Sequence, residues 1–444
     1  MLHFATLGVT FVPFVRSIGR WAMTALVINC IIGGGIYGLP SDVAHALGRK
    51  SPLAMIIAGL AMATILVSYA EVASRFSGAG GSYLYVRSAF GRFAGLQVGW
   101  FWLLSVVGAA AASSNLFVTN LAALMPGADH GLRRAVAMTA LIALPVAANY
   151  FGTRTGAALS TVLTVAKTLP LLLLIVLGLA HFRQHGAVAF TLPEAPSWKI
   201  WLYACVLVVW AYSGCEDSVV PAGEVKDARK NVPLALLTGL VVVMAIYTLI
   251  QFVAVATIGG AHSDRPLSDV ASILMGPGGA AFVEIAVMLS TYGYLSAAIL
   301  NAPRMPSAFA AHGDCPASFG ELHPRLNTPS VAILIFGAIV WMLALTGTFR
   351  WALILSVASS TIYYAAVCAS LIRLRRVRPA EDYLRIPLGR LWAVLGIGVS
   401  LALLTQIDWV DAALMSITAA IAAANWWWAS RRPHAATVAA PADV

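Results

Sequence analysis

The stretch Ile31-Ile32-Gly33-Gly34-Gly35-Ile36-Tyr37-Gly38-Leu39-Pro40 lies inside a long apolar run near the N-terminus. Each glycine disfavours helix by roughly 1 kcal/mol relative to alanine. Glycines that serve close helix packing are usually spaced by three residues. A contiguous triplet instead predicts that the helix breaks halfway across a membrane. Lipid cannot satisfy the bared N–H and C=O groups, so they must face protein or a wet cavity.

The rest of the chain reads as membrane-embedded too. Of 444 residues, 60% are apolar and 10% are charged, against about 25% charged in an ordinary soluble domain. That composition excludes a water-soluble globular protein. It also excludes disorder, which needs low hydrophobicity. The formal charge of +10 does not point to nucleic acid, because basic residues collect on the cytoplasmic side of membrane proteins.

A spanning helix needs about 20 apolar residues, and windows of that size predict twelve spans. They lie near 21–40, 52–72, 93–123, 133–149, 156–181, 200–222, 232–259, 279–302, 329–347, 350–372, 391–407 and 410–430. Placing both termini in the cytoplasm puts more than twice as many Lys and Arg inside as outside, which selects that orientation. The apolar Phe4–Val15 is followed by no small-residue cleavage site, so an uncleaved first span is expected.

The five cysteines, Cys30, Cys205, Cys215, Cys315 and Cys368, form no CxxC pair and read as small apolar fillers. His45, His312 and His323 have no ligand-like partner at useful spacing, so no metal and no cofactor is expected. The chain has no GxSxG or HExxH motif and no phosphate-binding glycine loop. An enzyme or an ATP-driven pump is therefore not expected.

A second interruption, Val209-Trp210-Ala211-Tyr212-Ser213-Gly214-Cys215-Glu216-Asp217-Ser218, falls in the sixth window. Glu216 and Asp217 are costly in hydrocarbon unless they face a cavity or a partner. The two breaks are about 180 residues apart, each opening a set of five helices, as in transporters whose substrate site lies between broken helices of inverted repeats. Half-helix N-termini favour an anion, and half-helix C-termini offer carbonyls to a cation. An α-amino acid is the smallest common ligand carrying both charges.

Several segments together resemble the amino acid–polyamine–organocation (APC) superfamily, in its bacterial amino acid permease form. Ile31–Pro40 is similar to the glycine-rich first-span motif. Tyr69–Phe76, Gly80–Arg87 and Phe90-Gly91 resemble the second-to-third-span signature, and Trp210–Glu216 with Glu224–Pro233 the sixth span and its following loop. Ser290–Gly293 and Asn301–Arg304 are weaker matches to the eighth span. The resemblance implies an all-α integral membrane protein with 12 transmembrane helices. Its fold would be a five-plus-five, LeuT-like inverted repeat with discontinuous helices 1 and 6 and two extra C-terminal helices. Residues 1–20 would be a cytoplasmic segment, 21–181 and 200–372 the two repeats, 391–430 the added pair and 431–444 a cytoplasmic tail.

The same resemblance implies secondary transport of amino acids by alternating access, as proton symport or exchange, in the bacterial inner membrane. The substrate carboxylate would rest on the N–H groups of Gly34 and Gly35, and its ammonium on carbonyls of Ile31, Trp210 and Ser213. Tyr83 would be a gating aromatic. Trp210 and Glu216 are similar to a site tryptophan and a gate glutamate of arginine/agmatine exchangers. Gly34 stands where many relatives carry serine, which removes a hydroxyl donor. Lys167, absent from the arginine/agmatine branch, argues against simple basic-substrate exchange.

Lys167 sits about ten residues into the fifth span, about 15 Å from its start. Its stem reaches roughly 6 Å, too short to snorkel to the interface. An intramembrane lysine is a functional candidate by default. By resemblance it replaces a sodium ion between the first and eighth spans, with Ser290 and Thr291 as partners, and couples protonation to transport. The competing reading is a fixed structural charge.

Glu71 and Arg75 read equally as an inner gate or a loop anchor, and Glu284 as a vestibule residue or a helix–helix pair. Trp426-Trp427-Trp428 reads as an interfacial anchor. The expected partners are a small amino acid or amine, protons and the lipid bilayer, with no nucleic acid, in a monomer or homodimer. Two other readings stay open: a basic amino acid or polyamine antiporter, and an amino-acid-sensing receptor that does not transport.

Overall fold

The computed structural model describes residues 18–76, 81–151, 156–186, 196–218, 225–316, 319, 328–377 and 384–431, without the side chains of 156–166, 228 and 311. The motif residues Gly80 and Glu224, the loop residue His323 and the tail beyond Arg431 lie outside that set. Among the described residues the secondary structure is helical, apart from one isolated bridge between Ile18 and Val225. In chain order the helices are α1 (Arg20–Ile31), α2 (Gly35–Gly38), α3 (Pro40–Leu47), α4 (Ser51–Ala73), α5 (Gly81–Phe90) and α6 (Arg92–Leu124). Then come α7 (Gly131–Tyr150), α8 (Gly156–His185), α9 (Trp198–Tyr212), α10 (Ala228–Ile258), α11 (Pro266–Met275) and α12 (Pro277–Asn301). The last are α13 (Arg304–Ala311), α14 (Ser330–Thr346), α15 (Phe349–Val377), α16 (Gly389–Leu404) and α17 (Trp409–Ser430).

Among the described residues, seven helical segments are long and apolar enough to cross a membrane. Five other apolar helices are shorter: α1, α9, α11, α14 and α16. Two of these are short for a reason the sequence contains. The windows 21–40 and 200–222 are not single helices, because α1 stops at Ile31 and α9 at Tyr212, both at the expected breaks. The 17 residues of α14 rise about 26 Å, slightly less than the roughly 30 Å hydrocarbon layer.

Lipid tails are as apolar as leucine, so helices associate through close packing rather than the hydrophobic effect. The central helix α6 illustrates this. Its run Gly108-Ala109-Ala110-Ala111-Ala112-Ser113-Ser114 is buried throughout. A Cβ on Gly108 would lie 2.9 Å from the Ala352 carbonyl oxygen of α15 and 3.0 Å from the Ser356 nitrogen. Three residues earlier, the Ser105 hydroxyl donates to the Ser356 carbonyl at 3.0 Å. The backbones of α6 and α15 therefore touch.

Polar anchors tie the opposite ends of α15. At its start, Arg350 pairs with Asp42 of α3 and lies 3.0 Å from His262 Nε2. At its end, Arg375 Nε donates to Glu71 of α4 at 2.6 Å, and Glu71 also accepts from Arg75 at 3.1 Å and from the Ile386 N–H at 3.0 Å. Glu71 thus ties α4 to the end of α15 and to the segment before α16. Glu284 pairs with Arg265 at 2.9 Å, which takes up its carboxylate at the α11–α12 corner. Of the tryptophan run, Trp426 packs edge-on against Phe93, and Trp427 is half exposed beneath the Arg431 guanidinium.

Candidate substrate site

The first break is built by glycines that let two backbones meet. After Ile31 the chain leaves the helix over Ile32–Gly34 and resumes at Gly35. A Cβ on Gly35 would fall 2.8 Å from Ala211 Cα and 3.0 Å from the Trp210 ring, so no larger residue fits beside α9. The second break answers the first. Ser213 is extended, and Gly214 takes φ +101°, a conformation that side-chain-bearing residues rarely adopt. A Cβ on Gly214 would lie 2.5 Å from the Cys30 carbonyl oxygen. The two breaks therefore face each other, Gly35 against Ala211 and Gly214 against Cys30. The Tyr247 hydroxyl of α10 lies 3.0 Å from the Ile31 carbonyl and 3.1 Å from the Ala211 carbonyl, joining both helix ends.

Between them lies a cavity of about 30 Å³. Cys30, Ile31 and Gly33–Gly35 line it from the first break, and Trp210, Ala211, Ser213 and Gly214 from the second. Ala109 and Ser113 of α6 and Tyr294 of α12 complete it. The Gly34 and Gly35 N–H groups have no backbone acceptor among the described residues, as expected at the start of a helical turn. The last carbonyls of α1 are in different states. Ile28 accepts from the Ile32 N–H, Asn29 from the Lys167 ammonium and Ile31 from Tyr247, which leaves Cys30 without a partner among the described residues. One wall thus carries free donors and another a free acceptor.

The site residues expected from the sequence fall into two groups. Ile31, Gly34, Gly35, Trp210 and Ser213 all line the cavity. Two of the expected ammonium acceptors are already engaged, however. The Ile31 carbonyl accepts from Tyr247, and the Trp210 carbonyl accepts from the Ser213 hydroxyl at 2.7 Å and its N–H at 3.1 Å. The third, the Ser213 carbonyl, has no partner among the described residues, and neither has that of Cys30, a residue that reads from the sequence only as an apolar filler. The Trp210 indole N–H is buried with no partner among the described residues, and its ring packs edge-on against Phe349 at 5.6 Å.

Tyr83 does not reach the cavity. It is fully buried against Phe309 of α13, and its hydroxyl donates to Asp314 at 2.6 Å. Arg87 and Arg92 pair with the same buried carboxylate. This cluster draws Tyr83 to the loop after α13, away from the breaks. Lys167 does reach α1: its ammonium donates to the Asn29 carbonyl, and Tyr37 of α2 donates its hydroxyl to the Lys167 carbonyl. It does not hydrogen-bond Ser290 or Thr291. Thr291 donates back into α12 at 2.8 Å, with its methyl against Gly34, and the buried Ser290 hydroxyl has no partner among the described residues.

Glu216 is buried and saturated. It accepts from Tyr363 at 2.6 Å, Tyr364 at 2.7 Å and the Gly214 N–H at 3.0 Å. The carboxylate therefore fixes the second break to α15. Its two tyrosine partners escaped the sequence reading, although an adjacent tyrosine pair inside an apolar span was a visible signal. Glu216→Ala is expected to strand both hydroxyls, at about 1–3 kcal/mol for each buried group left unpaired. Thermal unfolding of the detergent-solubilised protein should show a clear drop for Glu216→Ala and a smaller one for Glu216→Gln, which keeps an acceptor.

A family profile described as "Amino acid permease" matches residues 18–437. The serine/threonine exchanger SteT of Bacillus subtilis is 28% identical over 326 residues, covering 72% of this chain and 74% of that one. Uncharacterized transporters of Mycobacterium bovis and Mycobacterium tuberculosis are each 29% identical over 364 residues, covering 81% of this chain and 80% of theirs. A match over nearly the whole chain, on a helical membrane protein with two facing breaks, places the molecule: this chain belongs to the amino acid permease family of the APC superfamily.

Proposed function

We propose that this protein is a secondary transporter of small neutral amino acids in the cell membrane, working by alternating access. The observation that carries the reading is the pairing of free N–H groups at Gly34 and Gly35 with a free carbonyl at Cys30 across one cavity. Those groups suit an α-carboxylate and an α-ammonium respectively. Ile31, Trp210 and Ser213 frame the ammonium end; the Ser213 carbonyl is free among the described residues, and the second lone pair of the Ile31 carbonyl remains usable. The lining side chains are small or uncharged, which favours a short substrate side chain. The serine/threonine exchange named for the Bacillus subtilis relative agrees with that size and polarity. In this reading the chain has twelve spans in two five-helix repeats plus two helices, with cytoplasmic termini. The anchors at the two ends of α15, Arg350–Asp42 and Arg375–Glu71, would be the contacts that open and close on opposite faces.

One observation favours a second reading. Asp217 Oδ1 is buried with no hydrogen-bond partner among the described residues, an acceptor suited to a basic substrate side chain or to a coupling proton. Uptake into proteoliposomes separates these possibilities. A panel of labelled serine, threonine, alanine, arginine and agmatine is offered with and without a pH gradient, and with and without internal substrate. The expected result is uptake of serine, threonine or alanine driven by internal substrate or by the gradient. Uptake confined to arginine or agmatine would select the basic reading. Binding of serine with no uptake under any condition would overturn transport in favour of a receptor.

A further inference from the structure

Far from the breaks, an open cleft of about 490 Å³ lies where the end of α15 meets the start of α16, lined by Arg375, Arg385, Leu388, Arg390 and Leu391. Its basic residues are not equivalent. Arg375 is committed to Glu71 and to the Ile386 carbonyl. Arg385 and Arg390 are exposed and have no ion-pair or hydrogen-bond partner among the described residues. Among the described residues no acidic side chain lines the cleft, and the first turn of α16 contains none. Two unpaired guanidiniums at one mouth form a fork suited to phosphate oxygens.

The apolar part of the cleft points to what the phosphate is attached to. Leu388 is 69% exposed and Leu391 51% exposed, beside the two arginines. From Leu391 the exposed face continues along α16 through Val394 and Leu395, at the i, i+3, i+4 spacing of a single helix stripe. A soluble anion has no use for that continuous apolar track. An acyl chain does, and basic pockets between transmembrane helices bind anionic headgroups.

We infer that the α15–α16 cleft is a binding site for an anionic phospholipid, its phosphate on Arg385 and Arg390 and an acyl chain along Leu391, Val394 and Leu395. The inference is independent of the transported substrate. The test is native mass spectrometry of the full-length protein in detergent, titrated with phosphatidylglycerol or with phosphatidylethanolamine of matched chains. The wild type is expected to retain phosphatidylglycerol in preference. Each of Arg385→Gln and Arg390→Gln should weaken that retention roughly five-fold, and the double variant roughly thirty-fold, from the typical contribution of one basic residue near an anionic surface. The single variants keep the test informative should the double variant fold poorly. Arg49→Gln, an exposed arginine at the other end of α4, should leave retention unchanged. Wild-type retention in all three cleft variants would overturn the proposal, as would an equal loss in Arg49→Gln. Displacement of the lipid by millimolar inorganic phosphate would also overturn it, by making the cleft a soluble-anion site.

Discussion

Gly214→Ala is expected to reduce amino acid uptake at least ten-fold while the chain still inserts and folds. Two independent penalties meet at this residue. Its φ of +101° lies in a region where a side-chain-bearing residue is strained by about 1–3 kcal/mol. The added Cβ would also sit 2.5 Å from the Cys30 carbonyl oxygen and 3.3 Å from its carbon. Those are backbone atoms that no rotamer change can move aside. The relief available is separation of the two breaks, which displaces the free Cys30 carbonyl from the cavity. Each 1.4 kcal/mol lost from substrate or transition-state binding is a factor of about ten, so the strain alone suffices if it is relieved at the site. Gly398→Ala, inside α16 with open space around its Cβ, is the control and should transport normally. Uptake assays in proteoliposomes of matched protein content decide the matter. Wild-type uptake in Gly214→Ala would mean that the Gly214–Cys30 contact is not part of the transport cycle.

The placement of the breaks was legible because glycine acts locally. Three in a row cost helix wherever they fall, and the structure leaves the helix at Ile32–Gly34 as that argument requires. Ser213-Gly214 ahead of two carboxylates carried the same message, and α9 ends at Tyr212. Azimuth was not legible. The direction in which a side chain leaves its helix depends on packing against segments hundreds of residues away. The sequence therefore does not show that the Tyr83 hydroxyl meets Asp314, 231 positions later. Cys30 was passed over for a different reason. Its side chain is an ordinary filler, and its contribution is a main-chain carbonyl that becomes available only because the helix stops one residue later. Residue identity carries no signal for that. Tyr247, Tyr363 and Tyr364 belong to the same class: their hydroxyls matter because carbonyls and a carboxylate from the breaks lie opposite them.

Removing the charge of Lys167 is expected to have the other large effect. The residue is buried in α8, and its ammonium donates to the Asn29 carbonyl, one of the last of α1. In an unbroken helix that carbonyl would accept from the N–H of Gly33, so the lysine replaces a bond that the break removes. Tyr37, beyond the break, donates its hydroxyl to the backbone of the same lysine. Lys167 thus holds both halves of the interrupted first span from one position. Among the described residues its ammonium has no carboxylate partner, and a hydrogen bond made by a charged group contributes about 1.5–3 kcal/mol. Lys167→Met keeps the stem, removes the charge and leaves the Asn29 carbonyl unpaired at mid-membrane depth. Uptake should fall at least ten-fold, with a smaller loss for Tyr37→Phe, which spares the Lys167–Asn29 contact. Proton coupling through this lysine, which we propose, adds a second signature: the residual uptake of Lys167→Met should no longer respond to a pH gradient. Residual uptake that keeps the wild-type pH response would leave Lys167 a fixed structural charge and would move the search for the coupling group to Asp217. Unchanged uptake and unchanged pH response together would remove the lysine from the mechanism altogether, because a contact to the broken helix that can be lost without effect is not holding either half in place.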